Sequence, residues 1–130
     1  MMIIFQIHFF KKKLDMLKSN KSFQDYRKKM NEKILQEANL PIKRFFSLDT
    51  LTYENGSLDS KTKEMLGLVA SMVLRCDDCI KYHIEKCSLN NVNRKEFYEI
   101  FSVALTVGGS IVIPHLRKAV EFLDELENTN

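Results

Sequence analysis

Nearly every long segment of this chain repeats its apolar residues at intervals of three and four, the period of a helix. Leu14, Leu17, Phe23, Tyr26, Met30, Ile34 and Leu35 predict an amphipathic helix from Leu14 to about Glu37, interrupted near Ser19-Asn20. The stretch from Asn39 to Pro41 ends it, and Phe45, Phe46, Leu48 and Leu51 predict a short helix over Ile42–Tyr53, closed by an Asn55-Gly56 turn. Asp59 or Ser60 caps the next helix, which runs to about Leu74. Residues 65–74 carry no charge and are apolar almost all round, so this helix is buried; Gly67, Ala70 and Ser71 let its neighbours approach closely. A further helix covers Cys76 to about Ser88. Asn93 and Glu96 have capping-box spacing and start another through Val107, Gly108-Gly109 breaks it, and a last helix has Pro114 near its first turn. Alternating strand patterns are weak throughout, so the fold class is all-α, with five to seven helices.

At 130 residues, with 45% hydrophobic and 28% charged, the chain is expected to be a globular domain with one core. It carries neither a Walker pattern nor GxGxxG, which excludes the commonest phosphate-cradling loops. The apolar opening MMIIFQIHFF has its Lys11-Lys12-Lys13 cluster after it rather than before it, unlike a signal peptide. It also falls well short of the roughly 20 residues that span a bilayer. We therefore expect residues 1–13 to be an N-terminal extension to a single domain over 14–130, with no membrane partner. Residues 1–33 hold nine Lys/Arg against three Asp/Glu, but no aromatic stacking platform is interleaved with them. A solvated helix face accounts for that charge, and no nucleic-acid partner is expected. Three Cys without an export signal fit a reducing cytosol, where a close Cys pair points to redox or metal chemistry.

The chemistry-bearing stretch is Glu64, then Cys76-Asp77-Asp78-Cys79, then His83. Spacings of three and four place Cys76, Cys79 and His83 on one helical face, one turn above another. Two thiols so placed can close a small disulfide, and His83 can accept or deliver a proton there. Glu64, on the preceding helix, could hold the imidazole in place. The thiolate is the nucleophile, and a helix start favours it, but the dipole supplies only about 0.3–1 kcal/mol. A base such as His83 is therefore wanted, all the more because Asp77 and Asp78 disfavour a thiolate beside them. A zinc half-site is a competing reading. Cys76 to Cys87 spans about 16 Å of helix, so a second ligand segment would be needed, and only His8 and His115 are spare. Haem attachment through CxxCH fails because Ile80 stands where His is required, and Cys87 reads as a small buried hydrophobe.

Glu64, Cys76-x-x-Cys79-x-x-x-His83, the Gly108-Gly109 turn and the closing helix together resemble the carboxymuconolactone decarboxylase family, in its alkylhydroperoxidase D-like branch. The resemblance covers residues 30–126 and is closest over 61–123. It implies a thiol-dependent peroxidase or disulfide oxidoreductase acting on a peroxide or disulfide substrate. In that reading Cys79 is the peroxidatic residue, Cys76 resolves it, and Glu64 with His83 relays protons. Asp78 stands where the best-studied peroxidases of the family carry a His, and is itself a candidate proton carrier. The resemblance further implies a homo-oligomer (dimer, trimer or hexamer). An external thiol reductant is required to complete the cycle, and no cofactor or metal is expected. Decarboxylase members lack the Cys pair. A non-enzymatic redox sensor or structural oligomer, and a lactone decarboxylase-type enzyme, are the alternatives.

Overall fold

The computed structural model describes residues 2–128, all of whose regular structure is helical. Six α-helices follow in order: α1 (Met2–Glu37), α2 (Leu40–Thr52), α3 (Ser60–Val73), α4 (Asp77–Leu89), α5 (Arg94–Gly108) and α6 (Ile113–Glu127). A single 3-10 turn, Ser110–Val112, leads into α6. The all-α expectation and its number of helices are met.

Local chemistry sets most of the boundaries. Asp59 is the N-cap of α3, its side chain accepting from the Thr62 N–H at 2.7 Å. Asn93 and Glu96 form the full capping box of α5, with both reciprocal hydrogen bonds present. Gly109 follows α5 at φ 79°, a backbone conformation that an L side chain would strain. Pro41 does not lie in a loop, as the sequence suggested, but in the first turn of α2. A first-turn residue has no intrahelical partner for its N–H, so proline costs nothing there. Asn39 caps this helix start through the Ile42 N–H at 3.2 Å. Nor is α1 interrupted at Ser19-Asn20. Ser and Asn each cost a helix only about 0.5–0.7 kcal/mol relative to Ala, too little to stop one of 36 residues.

The chain divides into two compact units. One is formed by the residues up to Asp49 together with those from Asp124 onward; the other is Thr50–Leu123. The core lies in the second. Leu68 and Met72 of α3, Ile80, Ile84 and Cys87 of α4, and Phe97, Phe101 and Ala104 of α5 are all 5% exposed or less. Val112 of the 3-10 turn and Ala119, Phe122 and Leu123 of α6 also belong to it. Within this unit α3 packs on both α4 and α5. Contrary to the expectation from its uncharged stretch, α3 is not buried all round: the face toward α4 and α5 buries Glu64, Leu68, Ser71 and Met72, while Leu66 and Ala70 on the uncovered side remain exposed. None of the described helices is long and apolar enough to cross a membrane.

Candidate active site

The site is built where α3 ends and α4 begins. Arg75 takes the left-handed conformation at φ 60°. Its N–H reaches the Met72 carbonyl at 3.0 Å and the Cys76 N–H reaches the Ser71 carbonyl at 3.1 Å. These are the two hydrogen bonds of a Schellman ending, with a non-glycine residue at the strained position. The next residue, Cys76, is already the N-cap of α4, its sulfur accepting from the Cys79 N–H at 3.3 Å. One tight turn thus closes one helix, opens the next and delivers the first cysteine to the positive end of α4.

Cys76 and Cys79 form a disulfide, with their Cα atoms 5.2 Å apart. Cys79 is exposed and Cys76 half-buried. Cys87 is free and fully buried, and burial, with a smaller contribution from the Glu64 charge, pushes its thiol up to about 12. It remains a protonated core residue, as its sequence context suggested.

His83 and Glu64 meet as a buried pair. Nδ1 of His83 lies 2.8 Å from Oε2 of Glu64, with residue exposures of 8% and 3%. A carboxylate only accepts, so Nδ1 of His83 is the donor in this hydrogen bond, and in the neutral imidazole Nε2 is then the nitrogen that carries the lone pair. The imidazole also packs against Tyr53 and Tyr82, at centroid distances of 5.3 and 5.1 Å. Gly67 makes room for it: a Cβ there would stand 2.6 Å from Cε1 of His83 and 2.8 Å from the Tyr53 hydroxyl. Of the small residues of α3, Gly67 admits the neighbouring helix, and what it admits is the histidine ring itself; Ala70 is exposed instead.

Of the residues singled out in the sequence, Glu64 on α3 meets His83 on α4, and Cys76, which caps α4, is bonded to Cys79, four residues before His83 on the same helix. Asp78 is exposed on the first turn of α4. The tied carboxylate is Asp77 instead. Its Oδ1 accepts from Nδ1 of His115 and its Oδ2 from Nζ of Lys118, both at 2.6 Å. Those hydrogen bonds, Lys118 first and His115 second, hold its carboxyl below the usual range. Sequence reasoning missed Tyr53, Lys118 and the pairing of His115, because contacts 30 to 41 residues apart leave no local spacing. His115, a spare ligand in the zinc reading, is thus engaged with Asp77. Among the described residues no group of three or more His, Cys, Asp or Glu side chains could hold a metal ion.

Known proteins share this arrangement of helices. The chain is similar to TM1620 of Thermotoga maritima, with 54% identity and a TM-score of 0.82 over 84% of this chain and 96% of that one. A second crystal structure of that protein describes a carboxymuconolactone decarboxylase family member with a suggested part in the antioxidative response. The apo form of lpg0406 from Legionella pneumophila, of the same family, is 26% identical with a TM-score of 0.70, covering 84% of this chain and 95% of that one. Uncharacterized protein 4 in the cox locus of Paracoccus denitrificans is 25% identical over 83 residues, 64% of this chain and 75% of its own. The carboxymuconolactone decarboxylase family model matches residues 42–122, which include the cysteine pair, the buried dyad and the helices that carry them. With most of its length matched, this chain belongs to the carboxymuconolactone decarboxylase family.

Proposed function

We propose that this protein is a thiol-dependent peroxidase or disulfide oxidoreductase. One observation carries the reading: a disulfide-forming pair, Cys76 and Cys79, opens the helix whose next turn presents His83, already oriented by Glu64. The antioxidative role suggested for the Thermotoga relative agrees with it.

In the peroxidase cycle the Cys79 thiolate attacks one oxygen of a hydroperoxide and the O–O bond breaks. The alkoxide leaves and takes up a proton, and Cys79 becomes a sulfenic acid. The Cys76 thiol then attacks that sulfur, the S–O bond breaks, and water departs as the disulfide closes. A dithiol donor returns two electrons and two protons. Exposure favours Cys79 as the first nucleophile, since a peroxide reaches it more directly than the half-buried Cys76. Nε2 of His83 takes the thiol proton while Glu64 holds Nδ1–H. On this reading the protein works as a homo-oligomer, in which exposed Val103, Val107 and Ile111 would be covered.

The test titrates peroxide against reduced protein, following free thiols, mass and turnover together. An enzyme gives a Cys76–Cys79 disulfide and sustained turnover with a dithiol present. Stoichiometric oxidation without turnover would instead identify a redox sensor.

A further inference from the structure

The Asp77–Lys118–His115 cluster has no part in the cycle above, yet its carboxylate belongs to a residue inside the CxxC motif. Asp77 is the residue next to Cys76 and the first residue of α4. Its two carboxylate oxygens are each bound, one by Lys118 and one by His115, both of which come from α6. All three residues belong to the compact unit that holds the core.

An ionised carboxylate on the residue that follows Cys76 and precedes Cys79 by two opposes a thiolate on either sulfur, because like charges repel. Left alone, Asp77 would work against the helix start that favours the thiolate. Lys118 supplies the opposite charge directly on that carboxylate, and His115 holds its other oxygen in a fixed direction. Of the other charged groups on this turn, Arg75 and Asp78 are exposed, Glu64 is engaged with His83, and Lys81, one turn after Asp77, lies over the Phe122 ring.

We propose that Lys118 and His115 are positioning residues that neutralise and fix Asp77, and thereby set the acidity and redox poise of the Cys76–Cys79 pair from the last helix. The role rests on the thiol chemistry proposed above but not on peroxide as the oxidant. Reduction of the disulfide creates thiol groups whose ionised forms feel the net charge on Asp77, whereas the disulfide carries no charge. Any change in that net charge therefore shifts the balance between reduced and oxidised forms.

Opposite changes must give opposite effects. In Lys118→Met the Asp77 charge is uncompensated, so the thiol should ionise at higher pH and the disulfide should resist reduction more. In Asp77→Asn the ammonium remains without its anion, so the thiol should ionise at lower pH and the disulfide should reduce more readily. The double variant Asp77→Asn/Lys118→Met should return close to wild type. Below the midpoint, the thiolate fraction should change about three- to tenfold in each single variant. The lower intrinsic nucleophilicity of a more acidic thiolate reduces this to about two- to threefold in alkylation rate.

The experiment measures iodoacetamide alkylation of the fully reduced protein against pH, and separately the equilibrium with a glutathione buffer. Lys118 is 59% exposed at its side chain, so its replacement leaves the core untouched. Opposite shifts in the single variants, with restoration in the double variant, support the assignment. Shifts in the same direction, or none, would show that the cluster only ties α6 to α4 and would overturn it. Neither readout uses peroxide, so failure of peroxide turnover leaves this result standing, and the reverse also holds.

Discussion

Gly67 on α3 and His83 on α4 are in such close approach that one methyl group on the glycine would stand 2.6 Å from Cε1 and 2.9 Å from Nδ1 of the imidazole. That is inside van der Waals contact, on the same ring nitrogen that binds Glu64. Gly67→Ala should therefore displace the ring and break the dyad. Alanine suits a helix better than glycine by about 1 kcal/mol, while overpacking costs about 1–3 kcal/mol. The net stability loss should be small compared with the loss of thiol reactivity. Thermal unfolding beside the rate of oxidation by peroxide checks this; wild-type rates in the variant would mean that the ring can relax without consequence.

His83→Ala should slow the reaction of Cys79 with peroxide far more than it lowers stability. General base assistance is worth about 10²–10⁴-fold. Glu64→Gln keeps an oxygen acceptor but loses the charge that stabilises a proton on the imidazole, so it should fall between wild type and His83→Ala. Profiles of alkylation rate against pH decide the matter. If those of wild type and His83→Ala superimpose, the histidine only packs.

Asp78 is exposed on the turn that carries both sulfurs, one residue before Cys79. Its charge disfavours the thiolate. Asp78→His should raise the rate of reaction with peroxide at pH 7, and Asp78→Asn should give a smaller gain by removing charge alone. Stopped-flow oxidation of the three reduced proteins separates these cases. Slower reaction in both variants would instead make Asp78 the working proton carrier.

Cys87 gives a dependence on alkaline pH. Its thiol is pushed to about 12 in the folded protein, against an ordinary 9.0. The unfolded chain thus loses this proton first as pH rises. The associated stability is fully present below pH 9 and is lost progressively between 9 and 12. Urea titrations at a series of pH values should show that decline in wild type and a weaker one in Cys87→Ala. The variant should start about 1 kcal/mol lower because of the deleted sulfur. In the native protein at pH 7, alkylation should leave Cys87 untouched.

What was legible in the sequence, and what was not, follows the range of the interactions concerned. Helical period, a cap at Asp59 or Ser60, the Asn93–Glu96 box, a glycine break after α5, which falls at Gly109, and the three- and four-residue spacings of Cys76, Cys79 and His83 are all properties of neighbours along the chain. These were sufficient for the all-α class, and they placed both cysteines and His83 on one helix. Glu64 was legible as a candidate partner of the imidazole because it lies on the helix that precedes α4. Only the tertiary structure decided which of two adjacent aspartates is bound. Asp77 and Asp78 are equivalent in local pattern, and the difference is made by Lys118 and His115, 41 and 38 residues further on. It likewise decided that Tyr53 packs on the imidazole and that Arg75, without the usual glycine, takes the left-handed turn. For the aspartate and the tyrosine the deciding contribution comes from the packing of helices against one another, which no periodic pattern within one helix specifies.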